Sequence, residues 1–328
     1  MKTPPVTVML PTYNRAHFLP TAVESVLGQT RGDFELVVVD DGSTDETPAV
    51  MEAFRDERIR LIRQENRGIS GALNRALAHA RGEIIARIDS DDRWLPNLLE
   101  KEMGILEKRP EVGLVYSRAQ AMDETGRPLA QVLGVPERYP GETLKSLLYG
   151  DFVCTITTLV RKRCLDEAGP FDESLSGNED WDMWIRLAPV CKFHFLDEVL
   201  AHFRMHSHRT TGKGSPLFDR VARGRFRTLD KAFGRKDLGA ELLQVKGLAY
   251  RNAHMDVGLR WLSAGEISRM GHHFRCAFRE GGNPVATLAR ICFLVLHYRY
   301  LSKRTWGVRL VERLAAAGRR RRGRDRED

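Results

Sequence analysis

No uncharged apolar run in the sequence approaches the roughly 20 residues that a membrane-spanning helix requires. The expectation is a soluble or peripheral protein. Cysteine is scarce and scattered. Cys154, Cys164, Cys191, Cys276 and Cys292 are odd in number and show no C-x-x-C spacing, so neither a disulfide framework nor a zinc site is indicated. The opening residues, MKTPPVTVML, lack the basic start, long apolar core and small-residue cleavage site of a secretory signal, so a cytoplasmic setting is expected. Glycine-rich phosphate loops are missing as well. Neither G-x-x-x-x-G-K-[ST] nor G-x-G-x-x-G follows a strand pattern, which disfavours P-loop hydrolases and nicotinamide-binding enzymes. Phosphate binding by this chain then calls for a metal ion.

What is present suits a large α/β protein. The 328 residues are 42% hydrophobic, enough for one large domain with an appendage or for two domains. The net charge of +8 conceals an asymmetry. Residues 1–216 carry 27 Lys and Arg against 33 Asp and Glu, while residues 217–328 carry 25 against 11.

From residue 6 to about 117, β-branched runs alternate with helical periodicity. The pattern predicts strands over 6–10, 35–40, 59–63, 83–89 and 113–117, with helices over 17–29, 47–55, 70–80 and 95–108. Ser43 to Glu46 has the spacing of a capping box. This βαβα rhythm predicts a parallel sheet covered on both faces, with its ligand crevice beyond the carboxyl ends of the strands. Those ends carry PTYNR (11–15), DDGSTD (40–45), ENRGIS (65–70) and DSDD (89–92). Further on, the pattern predicts a hairpin at DETGRP (123–128), a strand at TITTLV (155–160), a helix over 180–188, and strands near 192–196 and 199–204. Residues 206–216 read as a loop, and the basic remainder as helical.

Asp89, Asp91 and Asp92 crowd like charges into four residues, which costs stability unless a positive charge lies among them. Carboxylate oxygens suit Mg2+ or Mn2+, ions that bind one or two carboxylates and leave room for phosphate oxygens. The other reading is a solvated acidic turn before the next helix. An EF-hand is a poor match, since its later ligands and central glycine are absent. In DDGSTD, Asp40 or Asp41 can accept hydrogen bonds from a base or ribose, and Gly42 permits close backbone approach; the other reading is an Asx-turn. In SGNEDWDMWIRLA (176–188), Gly177 breaks the chain and Glu179 and Asp180 open a helix, where an ionised carboxylate can serve as a base. His202, Arg204 and His206 fall on one face of an extended segment, and Arg204 and His206 suit a diphosphate or a metal ion.

These clusters, in this order and spacing across about residues 4–210, resemble the inverting family-2 glycosyltransferases with the GT-A fold. The resemblance implies an α/β fold with a Rossmann-like mixed sheet and a C-terminal helical extension. It implies a catalytic domain over 1–216, whose residues 4–117 form the donor half and 118–216 the acceptor half. The basic region 217–328 follows, with a disordered Arg-rich tail. Pro11, Tyr13 and Arg15 would line the nucleobase site, with Tyr13 stacking on the base. Asp41 would bind the base edge and Arg67 would lie near the nucleotide. Asp89 and Asp91 match the DxD pair, with Asp91 the direct ligand of Mn2+ or Mg2+ and Asp89 between ribose and metal; Asp92 has no counterpart role. Asp180 matches the catalytic base supported by Glu179, and Arg204 with His206 the segment closing over the donor diphosphate.

The implied activity is metal-dependent, inverting transfer of a sugar from a nucleotide-diphosphate donor, UDP by resemblance, to a hydroxyl of a saccharide or lipid-linked acceptor. Polysaccharide or glycolipid synthesis at the inner face of a membrane is the expected context. The chain lacks a Q-x-x-R-W segment, so it is expected to add one sugar or a few rather than polymerise. The apolar centre Ile291 to Leu296, flanked by Arg290, Arg299, Lys303 and Arg304, suggests either a peripheral anchor on anionic lipid or a packed helix. The competing functions are a nucleotidyltransferase that makes sugar nucleotides and a basic nucleic-acid-binding protein. The first should carry a Gly-rich loop where this chain has PTYNR, and the second a recognisable module.

Overall fold

A computed structural model describes residues 3–175, 177–206 and 218–280. The proposed anchor at 288–304, the Arg-rich tail and most of the 206–216 loop lie outside them. The chain groups into two compact units, residues 1–249 and 250–328.

The first unit opens with the predicted alternation: β1 (Val6–Thr12), α1 (Leu19–Leu27), β2 (Phe34–Asp40), α2 (Thr47–Ala53), β3 (Ile59–Arg63), α3 (Gly68–His79) and β4 (Ile84–Arg87). Then come β5 (Arg93–Trp94), α4 (Leu98–Lys108), β6 (Val112–Met122), β7 (Pro128–Leu133) and α5 (Thr143–Tyr149). β8 (Leu159–Arg161), α6 (Lys162–Ala168), α7 (Glu179–Leu187), β9 (Lys192–Arg204), α8 (Phe218–Phe233) and α9 (Ala240–Leu243) complete it. The sheet runs β3-β2-β1-β4-β8-β6-β9-β5, with β7 paired to β6.

Every residue of β1 and β2 is buried, which is why these strands read as continuous apolar runs rather than alternating ones. One face of the pair, Val6, Val8, Leu10, Leu36 and Val38, packs in the core with Leu19, Val23 and Val26 of α1 and Leu98, Leu99 and Met103 of α4. Each such side chain contributes about 1.5–3 kcal/mol by leaving water.

The sheet is continuously parallel from β3 through β2 and β1 to β4. β8 enters antiparallel between β4 and β6, and β9 then runs parallel to β6, so the strand predicted at 113–117 does not extend the parallel series. Three further expectations change. Thr155–Thr157 forms a 3-10 turn, with only Leu159–Arg161 as strand. The two strands expected at 192–196 and 199–204 are one, β9. The capping box at Ser43 does not form, because the Ser43 hydroxyl accepts the Asn14 N–H at 2.9 Å and Asp45 accepts the Thr47 N–H at 3.0 Å. The 123–128 hairpin is present, with Asp123 accepting the N–H groups of Thr125 and Arg127.

In the second unit α10 (Lys246–Ala264) begins at the division and α11 (Ile267–Arg279) follows it. Met255, Phe274 and Ala277 form their shared apolar contact.

Candidate active site

The parallel register brings the ends of β1, β2 and β4 to one edge, with Thr12 beside Asp40 and Met9 beside Arg87. Beyond that edge, the turn after β1 and the DDGSTD loop are tied together. Asn14, at φ +51°, accepts the Thr44 N–H at 2.8 Å, and the N–H of Arg15 reaches Thr47 Oγ1 at 3.0 Å. Tyr13 is left 44% exposed above this edge, a free aromatic face. Pro11 is a buried β1 residue in register with Val39.

Asp41 is buried and heavily used. Its carboxylate accepts the backbone N–H groups of Arg67 at 2.9 Å and Gly68 at 2.8 Å, and the Gln64 side-chain amide at 2.7 Å. It thereby satisfies donors at the start of α3, a favourable place for negative charge. Gly42, at φ +79°, does permit a close approach, but to the chain's own Asn66 N–H. The Arg67 guanidinium pairs with Glu173 at 2.8 Å.

The acidic turn after β4 contains its positive charges. Arg87, which is buried, donates to Asp89 at 3.1 Å and to Glu179 at 3.2 Å. Burial opposes its charge, yet the two carboxylates overcome this and hold it more firmly protonated than a free arginine. Asp91 faces His206, whose Nε2 stands 2.8 Å from Asp91 Oδ2, with the Arg15 guanidinium 3.6 Å from the same oxygen. Asp92, assigned no role from sequence, accepts the backbone N–H of Arg204 at 2.7 Å and so fastens the turn to the end of β9.

Arg204 is buried with it. Its guanidinium donates to the Asp91 carbonyl at 2.8 Å and the Glu124 carbonyl at 2.9 Å, and lies over the Phe18 ring. Phe18 also packs against His206, with ring centroids 4.6 Å apart. His202, by contrast, turns to Arg93 at 2.6 Å.

Glu179 and Asp180 begin α7, as expected to within one residue. Gly177, at φ +76°, makes the turn before them, and any Cβ there would meet Val221 of α8 at 2.6 Å. Asp180 accepts the Thr155 hydroxyl at 2.8 Å and the Trp181 N–H at 2.7 Å. Glu179 is buried, and that burial, with the neighbouring Asp180 charge, raises its pKa to about 7. Burial also raises Asp89, against the pull of Arg87.

The geometry thus joins Asp89 and Glu179 through Arg87, with Asp180 the next residue after Glu179, and Asp91, His206 and Arg15 around one carboxylate oxygen. Arg87 and Thr155 were missed. A lone arginine closing the apolar run Ile84-Ile85-Ala86, two residues from Asp89, is the signal that marks Arg87; nothing comparable marks Thr155.

Comparison with known proteins now decides the family. The profile of Glycosyl transferase family 2 matches residues 7–166. An uncharacterized glycosyltransferase of Rickettsia prowazekii is 30% identical over 257 residues, covering 76% of this chain and 77% of that protein. The chain belongs to glycosyltransferase family 2. A chondroitin synthase of Escherichia coli is 30% identical over 214 residues, 65% of this chain and 30% of that protein. Among solved structures, S. aureus TarS 1–349 in complex with UDP-GlcNAc superimposes with a TM-score of 0.59 at 19% identity, covering 90% of this chain and 91% of that one. The mannosyltransferase PcManGT from Pyrobaculum calidifontis, in complex with GDP-Man and Mn2+, gives 0.60 at 22% identity, covering 96% and 86%. The fold is GT-A, and the protein is a glycosyltransferase. Family membership sets aside the nucleotidyltransferase and the non-catalytic binding-protein alternatives. Among the described residues no helix is long and apolar enough to cross a membrane.

Proposed function

We propose that this glycosyltransferase moves a sugar from a nucleotide-diphosphate donor, UDP-linked in the first instance, to a hydroxyl of a saccharide or lipid-linked acceptor, with inversion at the anomeric carbon. The supporting observation is the grouping of Asp91, His206 and Arg15 at the strand ends, linked through the acidic turn and Arg87 to Asp180 at the start of α7. The nucleotide base stacks on Tyr13, and Arg15 and Arg67 lie along the nucleotide. The acceptor belongs to polysaccharide or glycolipid synthesis, and an anionic membrane surface is the proposed meeting place.

The donor set fits a divalent ion. The described residues hold no group of three candidate ligands, but Asp91 and His206 offer an oxygen and a nitrogen 2.8 Å apart. Two ligands at right angles on Mg2+ stand roughly 3 Å apart, and such ions take their remaining partners from phosphate and water. Asp91 and His206 would hold Mn2+ or Mg2+, with Asp89 on the ribose side; bound there, the ion neutralises charge on a departing diphosphate. Asp180 accepts the acceptor hydroxyl's proton as that oxygen attacks from the face opposite the nucleotide. Thr155 and the Trp181 N–H fix the carboxylate, and Arg87 holds the turn and α7 in register.

A thermal-shift panel of UDP, GDP, dTDP and CMP, each with and without Mn2+, on the wild type and Asp91→Ala, tests this. The expected result is stabilisation by one nucleotide that requires both metal and Asp91. No nucleotide response in the wild type would sink the proposal.

A further inference from the structure

The outward face of α8 carries Arg220, Arg223 and Arg227, at spacings of three and four that put them on one side of the helix. Together with Ser174, Gly224 and Phe226 they line a cavity of about 370 Å³. All three arginines are exposed, and among the described residues none has a carboxylate within ion-pair distance. Among the described residues only Arg227 of the three has a protein acceptor, the Ser174 carbonyl at 3.4 Å, a contact that leaves its charge uncompensated. Three like charges converging on one hollow repel each other, and an anion with several acceptor oxygens relieves that cost.

The hollow is tied to the catalytic helix. The Asn178 side chain, immediately before Glu179 and Asp180, donates to the Val221 carbonyl of α8 at 2.8 Å. Lys231 of α8 bridges Asp172 at 2.8 Å and the buried Asp182 of α7 at 2.9 Å. α8 is therefore tied to α7, and Lys231 continues the stripe of Arg220, Arg223 and Arg227 by one further turn. Arg225, on the inner side, lies over the Trp181 ring.

We propose that this hollow is a phosphate-binding site, in which Arg220, Arg223 and Arg227 grip a phosphate ester. The hollow is separate from the proposed donor site, and its ligand is a phosphate-bearing molecule. The same chemistry is offered by a soluble phosphate ester and by a phospholipid headgroup.

Binding is measured on the full chain with glycerol 3-phosphate, by calorimetry, and with phosphatidylcholine vesicles with and without phosphatidylglycerol, by sedimentation. The variants are Arg220→Gln/Arg223→Gln/Arg227→Gln and a charge-matched control, Arg55→Gln/Lys108→Gln/Lys236→Gln, at exposed positions away from the hollow. The expected result is binding of at least one probe, weakened roughly tenfold or more in the first variant, since one charge-assisted hydrogen bond is worth about that factor, and retained in the control. Binding of the ester identifies a soluble source, and binding of anionic vesicles alone identifies a lipid one. No binding of either probe, or equal losses in both variants, overturns the proposal. Mn2+-dependent nucleotide binding, followed in parallel, must persist in the arginine variant; its absence from the wild type too would count against the donor site and not against this one.

Discussion

The Arg87 guanidinium donates to Glu179 at 3.2 Å, across ninety-two residues of sequence, while its Nε donates to Asp89 at 3.1 Å. One buried cation thus connects the acidic turn after β4 to the first residue of α7. The two segments of the proposed site are carried on different elements, and this contact ties them together. It also answers how three aspartates coexist within four residues: Arg87 attends Asp89, His206 and Arg15 attend Asp91, and a backbone N–H attends Asp92.

Removing that cation should therefore cost far more than an exposed arginine would. Arg87→Met leaves the buried Glu179 and the partly exposed Asp89 without their partner, a loss of up to about 3–5 kcal/mol. Urea unfolding should show a lower midpoint, with Arg87→Met/Glu179→Gln recovering part of it. A single variant as stable as the wild type would show that the contact is not structural.

Glu179 makes stability fall with pH in a defined window. In the folded protein it keeps its proton up to about pH 7, whereas its ordinary value is 4.5. Between those values the folded state binds the extra proton. Its contribution is fully present below about 4.5 and is lost as pH rises through about 7. Glu179→Gln should flatten the decline in unfolding free energy across that window. An identical slope in wild type and variant would assign the proton elsewhere.

Much of this was legible in the sequence, for physical reasons. β1, β2 and β4 are buried on every residue, so composition alone marks them. The motif order then placed Asp89, Asp91, Glu179 and Asp180 at strand and helix ends. Thr155–Thr157 misled because β-branched residues suit strands, yet here the Thr157 hydroxyl bonds to the Cys154 and Ser117 carbonyls and closes a 3-10 turn. Ser43 matched a capping box, but a tertiary partner, the Asn14 N–H, took its hydroxyl. Pairings such as Arg87 with Glu179 depend on how α7 returns to the sheet, which no local pattern encodes.

Tyr13 offers a clean test of the donor site because little else depends on it. At 44% exposure its ring is available for stacking and peripheral to the core. Tyr13→Ala should weaken nucleotide binding by about 1–3 kcal/mol, the usual worth of one aromatic–base stack, with the melting temperature of the unliganded protein unchanged. Tyr13→Phe should bind as the wild type does. Equal nucleotide affinity in Tyr13→Ala, measured by titration calorimetry, would move the base away from this ring.

Asp180 separates chemistry from binding. Its two oxygens each accept one protein hydrogen bond, from Thr155 and from the Trp181 N–H, so the carboxylate is held in one orientation. As the proposed base, it would act only when the acceptor hydroxyl arrives and would contribute nothing to holding the nucleotide. Asp180→Asn keeps the size, its amide oxygen still able to accept the Trp181 N–H and its NH2 able to donate to the Thr155 hydroxyl, but it cannot take a proton, and should lower transfer by roughly 10²–10⁴-fold while nucleotide affinity holds. Thr155→Val removes one restraint without removing the base, so kcat should fall less and KM for the donor should stay put. If Asp180→Asn turned over normally, the proton would have to leave by another group. If it lost nucleotide binding as well, Asp180 would belong to the donor site.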